Sequence, residues 1–223
     1  MAKDWNGFNV LHNAAARVGG LDIDFIPGKG GLDVEGMYKA AENKKLDFVW
    51  LLGADEVDMD RLGDAFIVYQ GHHGDKGAHG ADVVLPGAAY TEKDGIYVNT
   101  EGRVQYANRA AYPPGEAKED WAIIRAFSGH INKSIGLDSL TDVRAALFEA
   151  FPHFAERDTI AGTKWSKFGG RGKMDSSPVT NSLDNFHMTC AISRASETMA
   201  ECRKALLDDN VDDAAVSSTV AAE

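Results

Sequence analysis

Three short apolar runs in the first half of the chain indicate β-strands. These runs are Asp47–Leu52, Phe66–Gln70 and Asp82–Pro86, and they are rich in β-branched and aromatic residues. Strands without alternation of apolar and polar residues are typical of a parallel sheet that is covered on both faces. Because helical patterns interleave with the runs, the sequence predicts an α/β fold with a parallel sheet.

Helices are predicted where apolar residues recur every three to four positions. This spacing occurs over residues 9–18, 32–42, 121–131 and 140–151. Ser139 followed by Asp142 resembles a capping box at the start of the last of these helices, and Pro152 ends it.

The region from Ile96 to Ala107 predicts a β-hairpin instead. Its strands are Ile96–Thr100 and Arg103–Ala107, and Glu101-Gly102 between them has the length of a two-residue hairpin loop. Alternation places Ile96 and Val98 on one face, and likewise Val104 and Tyr106 on the return strand.

The C-terminal third is less regular. Residues 162–185 show no periodicity and predict a connector that runs over the surface. Residues 193–207 predict a last helix, whose apolar stripe comprises Ile192, Ala195, Met199, Cys202 and Leu206. Residues 208–223 are small and polar and predict a disordered acidic tail.

Composition narrows the classes of partner and site. The net charge of −11, with five acidic and no basic residues after Lys204, argues against nucleic acid or an anionic membrane as a direct partner. The longest apolar run is far below the ~20 residues that a membrane-spanning helix requires, so no direct membrane insertion is expected. Two cysteines, Cys190 and Cys202, are too few to hold an iron–sulfur cluster or form a disulfide framework.

The densest group of potential metal ligands is the stretch Gly71–His79, which holds His72, His73, Asp75 and His79. Imidazole and carboxylate groups are ligands for zinc or iron. However, neighbouring His72 and His73 point apart in an extended chain, and the stretch matches no standard ligand spacing. We therefore expect a polar loop here and no metal ligands.

Two other groups resemble catalytic or phosphate sites. Glu92, Asp94, Glu101 and Arg103 cluster around the hairpin, but Asp-Gly and Glu-Gly form turns, and Arg103 can pair bidentately with Glu92 or Glu101. The glycine-rich loop Gly28–Gly31 precedes a helix but lacks the spacing of a phosphate-binding loop. The sequence therefore predicts no catalytic, cofactor-binding or metal residues in this chain.

Residues 81–105 carry a resemblance to a known family. The string Ala81–Pro86, followed by Glu92, Gly95 and Asn99–Arg103, resembles the signature block of the molybdopterin oxidoreductase superfamily. Two further strings, Tyr69–Asp75 and Phe186–Ala200, are similar to the large iron–sulfur (G-type) subunits of respiratory complex I, the NADH-quinone oxidoreductases. The resemblance covers roughly residues 5–207.

The resemblance implies a C-terminal, cofactor-free portion of such a subunit. Residues 1–131 would belong to a partial molybdopterin-oxidoreductase-like α/β domain, 132–207 to a helical and irregular extension, and 208–223 to the tail. The iron–sulfur clusters (2Fe-2S and 4Fe-4S) would lie in an N-terminal part that is missing here. Expected partners are other peripheral-arm subunits, at the cytoplasmic or matrix face of the inner membrane.

Three functions remain open from the sequence. The first is a structural role in proton-translocating NADH:quinone electron transfer, without catalytic residues in this segment. The second is a piece of an active molybdenum or tungsten enzyme such as a formate dehydrogenase. Against it, Asp55 follows a strand where catalytic relatives often contact a nucleotide, and its charge would repel a pyrophosphate. The third is a metal-binding module built on His72, His73 and His79.

Overall fold

The computed structural model describes residues 10–160, 162, 172–173, 175–178 and 185–207. The chain divides into two compact units, residues 1–164 and 165–223. The predicted connector at 162–185 and the predicted tail at 208–223 lie largely or wholly outside the described residues. Within the described residues, no helix combines the length and the apolar character needed to cross a bilayer.

The first unit contains a three-stranded parallel sheet in the order β1-β2-β3. Its strands are β1 (Phe48–Leu52), β2 (Phe66–Gly71) and β3 (Val83–Pro86). Phe48 aligns with Phe66, and Val68 aligns with Val83. The three predicted strands and their parallel arrangement are thus confirmed.

Only the central strand is covered as the apolar pattern predicts. In β2, the residues Ile67–Gln70 are all buried. In β1 at the edge of the sheet, Phe48 and Leu52 are 44% and 49% exposed, and Val84 in β3 is 50% exposed. The prediction that β1 is covered on both faces is therefore wrong, because this strand has a neighbour on one side only.

Helices and one short turn cover one face of the sheet. They are α2 (Val34–Glu42), the 3-10 turn Met59–Leu62 and α3 (Lys76–His79). Tyr38 of α2 and Leu62 of the turn pack with Leu51, Ile67 and Tyr69 in the main core cluster. Asp33 caps α2 by accepting a hydrogen bond from the Gly36 N–H at 2.8 Å. The predicted helix at 32–42 is confirmed.

The helix predicted at residues 9–18 is wrong. The structure instead has α1 at Arg17–Asp22, and Leu11 is 85% exposed. Val18 in α1 and Ile23 after it pack against the hairpin core. Tertiary contact therefore selects a helix over these residues, although Gly19 and Gly20 within it have low helix propensity.

The antiparallel hairpin consists of β4 (Gly95–Val98) and β5 (Val104–Ala107). The Asn99 N–H donates to the Arg103 carbonyl at 3.1 Å, so the loop between this pair comprises Thr100, Glu101 and Gly102. The predicted two-residue loop is therefore wrong. A type I turn followed by a residue at positive φ is a common three-residue connection, and Gly102 supplies that conformation with φ +84.

The hairpin has its own core. Val98 and Val104 are each 2% exposed and pack with Phe154, which is 3% exposed. Ile96 and Tyr106 line the same cluster, as the alternation predicts. Phe154 belongs to the 3-10 turn Pro152–Ala155, which follows α5 (Leu140–Ala150).

Both predicted helices of the central region are confirmed. They are α4 (Asp120–His130) and α5. The Ser139 hydroxyl accepts from the Asp142 N–H at 3.1 Å and caps α5, as the capping-box pattern predicts.

In the second unit, the single helix predicted at 193–207 is wrong. The structure has α6 (Ala191–Arg194), a break, and a helix over residues 197–207. The Met199 N–H donates to the Ser196 hydroxyl oxygen at 3.4 Å, so Ser196 caps the second helix. A serine that bonds the backbone in this way favours a helix start over a helix interior.

Candidate functional site

Parallel alignment brings the carboxyl ends of β1, β2 and β3 to the same edge of the sheet. Ligands of open α/β sheets bind outside this edge. The loops that begin at Gly53, Gly71 and Gly87 leave the sheet here, and two backbone bonds join them. The Gly53 N–H donates to the Gln70 carbonyl at 2.7 Å, and the Gly87 N–H donates to the Gly71 carbonyl at 2.8 Å.

Tyr69 closes the gap between the first two loops. Its side chain is 1% exposed. The Tyr69 hydroxyl donates to Asp55 Oδ1 at 2.7 Å, and the His73 carbonyl oxygen lies 3.1 Å from the same hydroxyl. Asp55 is therefore engaged by the protein's own buried phenol.

Gln70 organises the second part of this edge. It is fully buried and is bonded through both ends of its amide. Its Nε2 donates to Asp120 Oδ1 at 2.8 Å, and its Oε1 accepts from Trp50 Nε1 at 3.2 Å. The other Asp120 oxygen pairs with Lys93. The resulting chain, Trp50–Gln70–Asp120–Lys93, links β1, β2, α4 and the loop after β3.

Two glycines keep space for the Tyr69 ring. A Cβ at Gly71 would overlap the Tyr69 hydroxyl. A Cβ at Gly77 would stand 3.0 Å from the Ala54 carbonyl oxygen and 3.1 Å from the Tyr69 ring. The phenol therefore fills the space that these glycines leave beside the strand ends.

The two neighbouring histidines contact each other. His72 Nδ1 lies 2.7 Å from His73 Nδ1, so one nitrogen carries the hydrogen and the other accepts it. Burial lowers the pKa of His72, and the charges of His73 and Lys93 lower it further against the opposing effect of Asp55 and Asp120. Neutral imidazoles fit this arrangement, because two imidazoliums would repel each other at this distance.

His79 lies on α3 and is exposed. Among the described residues, no group of three or more His, Cys, Asp or Glu side chains is placed so that it could hold a metal ion. The structure therefore brings His72 and His73 together but does not form a three-histidine site.

The carboxylates around the hairpin support the backbone. Glu92 Oε2 accepts from the Ala89 N–H at 2.9 Å, and Asp94 Oδ1 accepts from the Arg109 N–H at 3.1 Å. Arg103 pairs with Glu101 through one contact of 3.6 Å, and its Nη1 donates to the Asp158 carbonyl at 2.7 Å. The predicted pairing with Glu101 is present but is not bidentate.

The glycine-rich loop Gly28–Gly31 forms a turn, in which the Gly31 N–H donates to the Gly28 carbonyl at 2.8 Å. The start of α2 beyond this loop is capped by the Asp33 carboxylate. A phosphate there would meet that negative charge, so this helix start does not form an anion site.

Comparison with known families decides the assignment. The profile described as molybdopterin oxidoreductase matches residues 1–130, which is more than half of the chain. The chain belongs to the molybdopterin oxidoreductase family. In this family member, a second profile, which describes the C-terminal region of the G subunit of NADH-ubiquinone oxidoreductase, matches residues 158–202.

Curated relatives of this molybdopterin oxidoreductase family member carry names from one enzyme complex. The G subunit of the NADH-quinone oxidoreductase of Rickettsia conorii is 46% identical over 205 residues, which cover 92% of this chain and 29% of the relative. The NADH-ubiquinone oxidoreductase 78 kDa subunit of Candida albicans is 46% identical over 210 residues, covering 89% and 28%. The chain thus spans less than a third of these relatives' length.

A solved structure with a distant likeness is acetylene hydratase from Pelobacter acetylenicus. It shares 16% identity and a TM-score of 0.46, covering 62% of this chain and 22% of its own. This likeness is too low to support a conclusion about the family member.

The family name implies a molybdopterin group, and the residues at the sheet edge do not fit one. Asp55 and Asp120 place two carboxylates at this edge, where a phosphate-bearing cofactor needs positive or neutral donors. Within the described residues, no buried side-chain nitrogen or oxygen lacks a hydrogen-bond partner that a ligand could supply. Tyr69 and its glycines already pack this edge.

Sequence reasoning singled out Asp55, His72 and His73 but missed the residues that organise the edge. These are Trp50, Tyr69, Gln70, Lys93 and Asp120. One signal was available, because a glutamine at the end of an apolar strand requires buried partners. Its partners, up to fifty positions away, carry no local pattern.

Proposed function

We propose that this chain is a structural, cofactor-free part of a G-type subunit of NADH-quinone oxidoreductase, respiratory complex I. The observation that carries the proposal is the identity of 42–46% to subunits of that complex over about nine-tenths of the chain. In this role the segment supports electron transfer from NADH to quinone, coupled to proton translocation, without donating catalytic residues.

Within the proposed subunit, the iron–sulfur clusters belong to other segments. Cys190 and Cys202 are both free thiols in this chain. A cluster of the common types requires four cysteine ligands. We propose that residues 1–131 form the partial molybdopterin-oxidoreductase-like domain, 132–207 the extension, and 208–223 an acidic tail.

The partners that we propose are other peripheral-arm subunits, at the cytoplasmic or matrix face of the inner membrane. The net charge of −11 favours protein partners over nucleic acid and anionic lipid. We propose peripheral attachment, through these subunits and not through a segment of this chain.

An active molybdenum enzyme, such as a formate dehydrogenase, is not favoured. The curated names point to NADH-quinone oxidoreductase, and the sheet edge presents Asp55 and Asp120 where a pterin's phosphate would bind. No observation favours the metal-binding module over a polar loop at His72 and His73.

The test combines assembly with cofactor analysis. An affinity-tagged copy of the full chain, expressed in a host whose complex I carries the matching subunit, should co-purify with the NADH-oxidising and quinone-reducing subunits. The isolated chain should be colourless, with pterin and transition metal far below one per chain and no electron-paramagnetic signal after dithionite reduction. Stoichiometric pterin, or failure to co-purify with any arm subunit, would overturn the proposal.

A further inference from the structure

The outer edge of β1 has no neighbour among the described strands. The Asp47 carbonyl accepts from the Phe66 N–H at 2.9 Å, and the Gly53 N–H donates to the Gln70 carbonyl at 2.7 Å. Backbone groups alternate in direction along a strand, so Val49 and Leu51 also face β2. The N–H and C=O groups of Phe48, Trp50 and Leu52 therefore point to the open edge.

The opposite edge of the sheet is partly covered. The Lys118 N–H donates to the Pro86 carbonyl at 3.1 Å, and the Ala88 N–H donates to the Lys118 carbonyl at 2.8 Å. The segment before α4 therefore runs beside the end of β3. No equivalent segment of the described chain lies beside β1.

The open edge continues into an exposed apolar surface. Phe48, Leu52 and Phe66 are 44%, 49% and 47% exposed. They share one face of the sheet, because Phe48 and Leu52 are four positions apart and Phe48 aligns with Phe66. Phe127 of α4 stacks on Phe48 at 6.5 Å between ring centroids and covers that face only in part.

Features that protect an exposed edge are absent from β1. Free edges of native sheets carry lysine, proline or a bulge that prevents pairing with another chain. The β1 sequence Phe-Val-Trp-Leu-Leu contains no charged residue and no proline. Parallel sheets, moreover, occur almost only where further structure covers them. These properties are those of an internal strand.

We propose that β1 accepts an extended, uncharged, apolar segment from the remaining part of the G-type subunit, which pairs along the outer edge and covers Phe48 and Leu52. The curated relatives are more than three times as long as the matched segment, so they contain chain enough to supply it. A second copy of this chain is disfavoured as the occupant, because two chains of net charge −11 repel each other. The inference rests on the proposed function for the identity of the occupant.

The experiment uses the full chain and one defined probe. The probe is the part of the Rickettsia conorii relative that lies outside the segment matching this chain, expressed as a separate polypeptide. Binding is measured by titration, and hydrogen exchange with mass spectrometry follows residues 48–52. Backbone pairing should slow exchange in this strand about tenfold or more in the complex.

A charged edge should prevent the association. The double variant Phe48→Lys, Leu52→Lys should weaken binding of the probe about tenfold or more, because lysines at the edge oppose strand pairing. The matched control is Val84→Lys, at a position of similar exposure on β3, and it should bind as the unsubstituted chain does. Circular dichroism of each variant alone checks folding, and Leu52→Lys alone replaces the double variant if that variant melts early.

Equal binding by the double variant and the unsubstituted chain would overturn the proposal, and so would protection confined to residues 83–86. Self-association of the chain that the lysines abolish would replace the proposed occupant with a second copy. Failure of the probe to bind also overturns the edge proposal. The proposed function stands or falls separately, on co-purification of the full chain with the arm subunits.

Discussion

Tyr69 and Gly71 constrain each other at the end of β2. The phenol is 1% exposed and bonds Asp55, and its hydroxyl occupies the space where a side chain at residue 71 would begin. A substitution at residue 71 therefore affects core packing and a buried hydrogen bond together.

We expect Gly71→Ala to lower the free energy of unfolding by about 2–4 kcal/mol, since overpacking and a disrupted buried hydrogen bond both contribute. Urea denaturation measures the change. The control is Gly74→Ala in the same loop, where a Cβ meets no atom within 4 Å and no positive φ is required. Equal midpoints for the two variants would contradict the packing argument.

His72 gives the stability of this edge a dependence on pH. Its pKa is lowered in the folded chain, first by burial and then by the charges of His73 and Lys93. The unfolded chain has the ordinary pKa of about 6.5, so between the two values the unfolded state binds more protons. This contribution to stability is complete above about pH 6.5 and is lost as the pH falls through the lowered pKa.

We therefore expect His72→Gln to lose less stability than the unsubstituted chain when the pH is lowered from about 7 to 5. Melting temperatures across this range, in buffers of equal ionic strength, provide the measurement. Parallel curves for the two proteins would show that His72 does not contribute.

At the scale of elements, the hairpin depends on two residues in its loop. Asn99 Oδ1 accepts from the Glu101 N–H at 2.9 Å and from the Arg103 N–H at 3.0 Å. Gly102 takes φ +84, in the left-handed region. The side chain of Asn99 and the backbone freedom of Gly102 thus form the turn together.

We expect Gly102→Val to destabilise the chain by about 1–3 kcal/mol, because a β-branched residue is strained at this φ. Gly102→Asn is the matched variant, since asparagine tolerates the left-handed region, and it should retain most of the stability. Chemical denaturation of both variants tests this. An unchanged midpoint for the valine variant would mean that the turn does not require positive φ.

The elements also show what local pattern can predict. The strands and the helices α2, α4 and α5 follow from apolar periodicity and from caps such as Ser139, which act within a few residues. The position of α1 depends on Val18 and Ile23 meeting the hairpin, nearly eighty positions away from Val98. The network at Gln70 likewise joins Trp50 and Asp120, so distance in sequence limited its prediction.

At the scale of the whole molecule, the second unit carries the apolar surface most specific to the G-type relatives. In the helix over residues 197–207, Met199 and Cys202 are partly buried, while Leu206 and Leu207 are 45% and 52% exposed. An isolated helix of this length is marginal in water, so its apolar side chains require a covering surface.

We expect removal of residues 186–223 to leave the first unit folded and to weaken incorporation into the peripheral arm. Removal of 208–223 alone should do neither, because that sequence has no apolar pattern. Co-purification of each truncated chain with the arm subunits, beside its melting curve, gives the result. Unfolding of the first unit by the longer deletion would instead assign this helix to the core.

The core of the hairpin has a consequence for synthesis on the ribosome. Val104 is buried against Phe154, which is translated fifty residues later. At about 5–20 residues per second, the hairpin's apolar face waits about 2.5–10 s for this ring, whereas β1 to β3 are adjacent in sequence and can pair earlier. During that interval the nascent chain exposes Val98 and Val104, which makes this stretch a binding site for a ribosome-associated chaperone.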